Sequence, residues 1–182
     1  APTYPEQFTA ERPLRVLYLG TLTLRKGLAR LVETAALLQD APITFEVVGG
    51  GTLNLPDKVV ELPNIEWVGR VPRGEVDRYY ANADVFLFPT LSDGFGLTQL
   101  EAMAIGLPVI ASDRCGDVVT HDVNGFRLDS LDPPHIADVL RTCTRHPERL
   151  ERWASRAPET LTAYHPDRVI GQLEETVRSV RA

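Results

Sequence analysis

The chain has 182 residues, of which 43% are hydrophobic, and its formal net charge at pH 7 is −6. This length is typical of one domain that can bury a sizeable core. The lysines and arginines are scattered rather than clustered, which, with the negative net charge, argues against nucleic acid or an anionic membrane as the main partner. Small ligands or proteins are the expected partners.

The sequence carries few signs of a metal site, a disulfide or a membrane segment. Cys115 and Cys143 have neither metal-ligand spacing nor a disulfide framework, which predicts a reducing compartment, the cytoplasm. No apolar stretch approaches about 20 residues and no basic-then-apolar leader precedes the chain, so we expect neither a transmembrane helix nor a signal peptide. The first residue, Ala1, suggests an excised piece. The histidines share no ligand spacing and are all expected at the surface, with no metal role.

Residues 1–13 are polar and contain three prolines, which is typical of a linker at a domain boundary, and we place the domain at 14–182. A strand is predicted over 14–19 and ends at Gly20. A helix with apolar residues at helical spacing follows, namely Leu28, Leu31, Val32, Ala35 and Leu38.

The loop between this strand and helix contains two adjacent cations, Arg25 and Lys26. Most surface cations are only solvated, and that interpretation stays open beside a ligand-binding role. The second predicted strand, 43–48, is followed by three glycines, but they do not form GxGxxG and no helix clearly follows. A dinucleotide-binding fingerprint is therefore absent, which disfavours a dehydrogenase-type domain.

A third strand is predicted over 65–69, and a short helix over 75–83 with Val76, Tyr79 and Tyr80 on its inner side. The loop between them contains Arg70 and Val71 after Gly69. From its residues alone, this loop can equally be a plain strand-to-helix connector.

The next segment predicts a strand, a glycine turn, a helix and another strand. The apolar run 83–88 is closed by Pro89, which cannot donate to a sheet ladder. Gly106 ends the helix and 107–111 is a buried strand. The helix starts at Leu97, and its apolar residues recur at helical spacing, namely Leu97, Leu100, Met103 and Ala104.

The start of this helix has features of an anion site. Unpaired N–H groups, the positive dipole end and the glycines Gly94 and Gly96 favour a phosphate near 94–97. Asp93 and Glu101 flank the spot, and since carboxylates repel phosphate we expect them to bind neutral hydroxyls of a sugar or ribose. The alternative is structural: a capping box from Thr98 to Glu101, with Asp93 as an ordinary turn residue.

This segment resembles the signature of retaining GT-B glycosyltransferases, especially family 4. That pattern is an acidic residue, Gly-Phe-Gly, a glutamate after seven intervening residues in an EAMA-type helix, and Gly-x-Pro-Val. The chain shows Asp93-Gly94-Phe95-Gly96, Leu100-Glu101-Ala102-Met103-Ala104 and Gly106-Leu107-Pro108-Val109. The resemblance covers about residues 14–180 and implies the donor-binding, C-terminal half of a GT-B fold: an α/β, Rossmann-like, three-layer domain. The alternation of strands and helices independently indicates a parallel sheet.

The resemblance implies roles for residues on the diphosphate and sugar side of the site. Lys26 would stabilise charge on the donor diphosphate; the family's usual arginine is replaced by Thr21, with Arg25 as a candidate substitute. Asp93, one methylene shorter than the usual glutamate, would hold donor-sugar hydroxyls, and Glu101 the ribose hydroxyls. The backbone groups of four residues would support phosphate and sugar, namely Gly94, Phe95, Gly96 and Leu97.

The loop Gly69-Arg70-Val71 would lie beside the base. The implied donor is a UDP-, GDP- or ADP-sugar, with no cofactor and no metal. The implied N-terminal acceptor-binding domain is absent, so we expect the isolated chain to be inactive. The competing hypothesis is a module or subunit that binds a nucleotide sugar without turnover.

After the central unit, the segment around Cys115 is shorter than the family's glycine-rich turn, and Cys115 is expected to be a buried or half-buried side chain rather than a nucleophile. A turn and final strand are predicted over 124–128. Three helices are then predicted, over 134–145, 147–157 and 166–180, each with proline at its start.

Overall fold

The computed structural model describes residues 2–51, 56–165, 167–168 and 170–171. Within them a parallel sheet of six strands has the order β3-β2-β1-β4-β5-β6. The strands are β1 Leu14–Leu19, β2 Ile43–Val48, β3 Ile65–Gly69, β4 Val85–Phe88, β5 Val109–Ser112 and β6 Gly125–Leu128. The predicted parallel α/β fold is confirmed.

Helices connect and cover these strands. The α-helices are α1 Leu28–Ala36, α2 Asp57–Val60, α3 Val76–Asn82, α4 Leu97–Ala104, α5 Pro133–Arg145 and α6 Pro147–Arg156. Short 3₁₀ helices span Leu24–Lys26, Arg73–Glu75 and Ala157–Tyr164. The predicted helix over 166–180 lies largely outside the described residues.

Two apolar clusters, one on each side of the sheet, make the three layers. One contains Val16 of β1 with Leu31 of α1 and Trp153 of α6. The other contains Phe86 of β4 with Met103 of α4. All residues of β4 and β5 are buried, as expected for central parallel strands covered on both faces.

The strand order reverses between β1 and β4, and this reversal fixes where a ligand can bind. β1 pairs with β2 on one side and with β4 on the other, while the connection from β1 leads away to β2. In open parallel sheets the crevice outside the carboxyl ends of such strands is the usual ligand site. Here those ends are followed by the loops at 20–27 and 89–96.

The inner face of α4 differs from the predicted one. Leu97, expected in the apolar stripe, is 65% exposed, and Ala104 is exposed too, whereas the polar Gln99 is fully buried with Ala102 and Met103. The Gln99 side-chain N–H donates to the carbonyl of Phe95 at 3.0 Å, which offsets part of the cost of burial, while Oε1 of Gln99 has no hydrogen-bond partner among the described residues. The helix therefore faces the sheet with a partly polar side that apolar spacing does not reveal.

Residues 2–13 pack on the domain. Phe8 is buried, and the hydroxyl of Tyr4 donates to the carbonyl of Asp84 at 2.9 Å. The Arg12 guanidinium donates to both carboxylate oxygens of Asp84, each at 2.7 Å. The segment thus packs against the amino end of β4. The domain boundary at residue 13 stays a prediction.

Candidate functional site

The loops after β1 and β4 bind each other at the carboxyl edge of the sheet. The carbonyl of Arg25 accepts from the N–H of Leu91 at 2.8 Å and from the hydroxyl of Thr90 at 3.1 Å. Gly27 is left-handed, with φ 81°, and a Cβ there would lie 1.9 Å from the carbonyl oxygen of Pro89. Only glycine permits this approach, which holds the two loops together.

This docking brings Lys26 onto Asp93. Their ammonium and carboxylate groups form an ion pair, and the exposed fractions of the two side chains are 19% and 14%. The Lys26 ammonium also lies 5.6 Å from the centre of the Phe88 ring. Lys26 is therefore not a solvated loop charge, and Asp93 has a charged partner outside its own turn. Arg25, in contrast, is exposed, and it donates to the carbonyl of Ser92 at 2.8 Å.

The turn before α4 has a glycine where a capping side chain would stand. Gly96 is the N-cap, with φ 77°, and it makes no side-chain capping bond; a Cβ there would lie 2.7 Å from Cε1 of Phe88. Thr98 lies inside the helix, so the capping-box interpretation is wrong. The helix start at Leu97 therefore has no side chain that competes with a ligand for its first N–H groups.

Glu101 contacts a tyrosine instead of capping the helix. Its Oε2 accepts a hydrogen bond of 2.9 Å from the hydroxyl of Tyr80 on α3. Tyr80 is buried while Glu101 is exposed. Burial first, and then the charge of Glu101, raise the pKa of Tyr80 well above its usual range, so that its hydroxyl stays protonated. The sequence placed Tyr80 on the inner side of its helix but gave no sign of this partner.

A shallow cavity of about 280 Å³ is lined by Arg70 and Val71, the two residues that follow Gly69. Arg70 is exposed, and Gly69 is left-handed with φ 81°. The other lining residues come from the ends of β1 and β2 and from α3, namely Leu19, Gly20, Thr21, Val48, Gly49, Gly50 and Val76. Sequence reasoning gave the glycines after β2 little weight, yet a Cβ on Gly49 would lie 1.8 Å from the carbonyl oxygen of Gly20. These glycines allow the close packing of the cavity floor.

Phe95 is held by the segment after β5. Its carbonyl accepts from the N–H of Gly116 at 3.0 Å, and its ring meets the Tyr164 ring edge-on, with centres 5.4 Å apart. Cys115 is half-buried, as predicted, and its thiol lies 3.3 Å from the carbonyl of Ser112. Burial raises the pKa of this thiol, which disfavours a nucleophilic thiolate.

Within the described ranges, no three or more His, Cys, Asp or Glu side chains are placed to hold a metal ion. Three histidines are exposed, and His135, expected at the surface, is half-buried. In the same part of the chain, no helix has the length and apolar character needed to cross a membrane.

The chain belongs to the family of glycosyl transferases group 1, which matches residues 3–160. Among its curated relatives, the amylovoran biosynthesis glycosyltransferase AmsK of Erwinia amylovora is 32% identical over 157 residues, covering 75% of this chain and 39% of the relative. The D-inositol 3-phosphate glycosyltransferase of Corynebacterium urealyticum is 31% identical over 180 residues, covering 90% of this chain and 42% of the relative. The chain thus spans less than half the length of these relatives.

Solved structures show which domain the fold resembles. The C-terminal domain of the glycosyl transferase group 1 protein LpcC from Francisella tularensis has a TM-score of 0.71 at 22% identity, covering 90% of this chain and 93% of that one. Anabaena Alr3699/HepE in complex with UDP-glucose has a TM-score of 0.74 at 22% identity, covering 93% and 50%. The fold is that of the C-terminal, Rossmann-like domain of GT-B glycosyltransferases.

Proposed function

We propose that this domain binds the nucleoside-diphosphate sugar of a retaining glycosyltransferase, which transfers the sugar to an acceptor hydroxyl. The observation that carries the proposal is the Lys26–Asp93 pair. It joins a cation and a carboxylate at the point where the strand order reverses, beside the start of α4. A donor has the matching chemistry, because its charged diphosphate is attached to a neutral, hydroxyl-rich sugar.

Lys26 is the group we assign to the diphosphate. An ammonium has three N–H donors, so Lys26 can keep its ion pair with Asp93 and still donate a hydrogen bond to a phosphate oxygen. As the sugar bond breaks, negative charge grows on the leaving diphosphate, and a fixed cation lowers the barrier. The exposed Arg25 and the N–H groups from Gly94 to Leu97 are placed to add to this stabilisation.

The two carboxylates take the hydroxyl groups of the donor. Asp93 holds sugar hydroxyls beside the phosphates, and Glu101 holds the ribose hydroxyls. Neither acts as a general base in this proposal. Positioning and leaving-group stabilisation then drive a front-face, retaining transfer that needs no metal ion.

The base lies against Gly69, Arg70 and Val71, of which Arg70 and Val71 line the cavity of about 280 Å³. We favour uridine diphosphate as the nucleotide, because the similar Anabaena fold is described in complex with UDP-glucose. GDP- and ADP-sugars are the alternatives. The acceptor is bound by a separate domain, so the isolated chain binds donor without turnover.

A second candidate is a nucleotide-sugar-binding module or subunit that has lost catalysis. One observation favours it: Thr21 lies at the edge of the cavity, at the position where the resemblance implies a phosphate-binding arginine. Loss of that cation weakens diphosphate stabilisation more than it weakens recognition of the base and ribose. Turnover in a longer protein that includes the acceptor domain separates the two candidates.

Calorimetric titration of the chain with UDP, GDP, ADP and UDP-glucose tests the proposal. We expect saturable binding of UDP, tighter binding of UDP-glucose, and loss of most of the affinity in Glu101→Ala. Glu33→Ala is the matched control, since Glu33 is an exposed helical glutamate on α1. A folded chain that binds none of these ligands at millimolar concentration contradicts a working donor site.

A further inference from the structure

Tyr80 has an unusual combination of partners. The residue is 2% exposed, and its ring packs edge-on against Phe86, with centres 5.8 Å apart and an angle of 62° between the planes. Its hydroxyl lies 2.9 Å from Oε2 of Glu101 and 3.4 Å from the carbonyl of Thr98. A phenol has one hydrogen to donate, and the shorter contact assigns it to the carboxylate.

The hydrogen bond joins the fixed hydroxyl of Tyr80 to the carboxylate of Glu101, an exposed side chain that would otherwise move freely. An exposed glutamate samples many rotamers, and ordering it on a ligand costs conformational entropy. The Tyr80 ring is held by the apolar layer between α3 and the sheet, so its hydroxyl has a fixed position. A hydrogen bond from it to Glu101 restricts the carboxylate before any ligand arrives.

We propose that Tyr80 is a positioning residue that holds the Glu101 carboxylate ready for the ribose hydroxyls of the donor. The proposal rests on the role of Glu101 given above and extends it. The Tyr80 bond uses Oε2, and a carboxylate has about four acceptor positions. Oε1 therefore keeps its lone pairs for a ribose hydroxyl, and Tyr80 itself does not touch the donor.

The alternative is that Glu101 only satisfies a buried hydroxyl. In that case, removal of the hydroxyl changes stability but not the recognition of ribose. The two roles differ in one measurable quantity, the ratio of the affinities for UDP and for 2′,3′-dideoxy-UDP. A structural effect lowers both affinities together, whereas a positioning effect lowers only the affinity that depends on ribose hydroxyls.

The experiment titrates UDP and 2′,3′-dideoxy-UDP into the chain and into Glu101→Ala, Tyr80→Phe and Tyr79→Phe. We expect Tyr80→Phe to weaken UDP binding by about fivefold to tenfold, less than the loss of a direct hydrogen bond to a charged group because Tyr80 does not touch the ligand, while dideoxy-UDP binding changes by less than about twofold. Tyr79→Phe is the matched control on the same helix, because the Tyr79 hydroxyl accepts from Arg78 at 2.8 Å and not from the site.

The double variant Tyr80→Phe/Glu101→Ala gives a second test. If Tyr80 acts through Glu101, adding Tyr80→Phe to Glu101→Ala causes no further loss of UDP affinity. Thermal unfolding checks each variant, and phenylalanine keeps the packed ring.

The outcomes separate the two proposals. If the unmodified chain binds no UDP, or if Glu101→Ala keeps the preference for UDP over dideoxy-UDP, the role of Glu101 fails and the positioning role falls with it. If Glu101→Ala loses the preference and Tyr80→Phe keeps it, only the positioning role is overturned. Equal losses for both ligands in Tyr80→Phe also overturn it.

Discussion

Lys26 and Asp93 form an ion pair although 67 residues separate them in the sequence. Lys26 follows β1 and Asp93 follows β4, and the pair exists because these strands are neighbours in the sheet. Each side chain is mostly buried, so the charges are only weakly screened by water. The pair links the proposed phosphate side of the site to the proposed sugar side. Substitution of Lys26 and substitution of Asp93 are therefore expected to have different effects on binding.

Removal of the cation is predicted to affect both binding and stability. Lys26→Met leaves the mostly buried carboxylate of Asp93 without its partner, which lowers the free energy of unfolding by about 2 kcal/mol. It also weakens binding of UDP and of UDP-glucose alike, because both carry the diphosphate. Urea unfolding and calorimetry measure the two effects. Unchanged UDP affinity in a folded variant would rule out Lys26 as a diphosphate ligand.

Neutralisation of the anion is predicted to act on the sugar alone. In Asp93→Asn, Lys26 loses a competing negative charge, so UDP binds with equal or higher affinity. The additional affinity for UDP-glucose over UDP decreases, because an amide is a weaker acceptor of sugar hydroxyls than a carboxylate. Calorimetry with the two ligands measures this ratio, and a ratio that stays constant counts against a sugar role for Asp93.

An arginine in place of Thr21, as the resemblance implies, is predicted to tighten phosphate binding. Thr21 is exposed, so Thr21→Arg is tolerated without burying charge. A charged hydrogen bond to the diphosphate increases UDP affinity by about tenfold, and the gain shrinks as salt is added. Titrations at low and high ionic strength provide the test. If Arg25 already fills this role, Arg25→Gln weakens UDP binding and Thr21→Arg rescues it.

The two glycines of the turn are predicted to tolerate alanine very differently. Gly96 has φ 77° and lies against the Phe88 ring, so Gly96→Ala lowers the free energy of unfolding by about 2 kcal/mol. At Gly94 a Cβ meets nothing within 4 Å, and Gly94→Ala is the matched control, with a change below about 0.5 kcal/mol. Denaturant unfolding of both variants is sufficient, and equal destabilisation contradicts the prediction.

Asp84 is predicted to make stability depend on acidic pH. Burial alone would raise the pKa of Asp84, but hydrogen bonds from Arg12 and Arg15 outweigh it and hold that pKa below its usual value. A carboxyl group with a lowered pKa in the folded state stabilises fully above its unfolded pKa of about 3.9, and the contribution is lost as pH falls through the folded value.

Urea midpoints between pH 7 and pH 2 measure this contribution. Asp84→Asn lowers stability at pH 7 by about 3 kcal/mol, and the difference from the unmodified chain shrinks below about pH 4. Asp113→Asn is the control, since Asp113 pairs with Arg114 at the surface and contributes at most about 1 kcal/mol. A constant difference across the pH range excludes the titration of Asp84.

The sheet could be predicted from sequence because most strands are short, largely apolar runs, and the first four of them end at a glycine or proline. β4 and β5 are largely continuous apolar runs. Pro89 directly follows β4, and Gly106 ends the helix that precedes β5. The inner face of α4 could not be predicted, because Gln99 is buried through its hydrogen bond to Phe95 and not through apolar character. Local periodicity contains no information about such a tertiary bond.

The candidate site was predicted as a set of residues but not as a set of contacts. Spacing and family resemblance identified Lys26, Asp93 and Glu101. Their partners depend on strand order and helix packing, which bring Lys26 to Asp93 and Tyr80 to Glu101. The capping interpretation of Glu101 failed because the helix begins at a left-handed glycine, two residues before the threonine that the pattern requires.

The ion pair between Arg12 and Asp84 lies at the opposite end of β4 from the proposed site. Asp84 immediately precedes β4, and the other end of that strand carries Phe88, whose ring lies under the Lys26 ammonium. β4 has four residues, about 13 Å of fully buried backbone that can neither stretch nor bend easily. The Arg12–Asp84 pair and the Lys26–Asp93 pair therefore lie at opposite ends of one short buried strand, which fixes the distance between them.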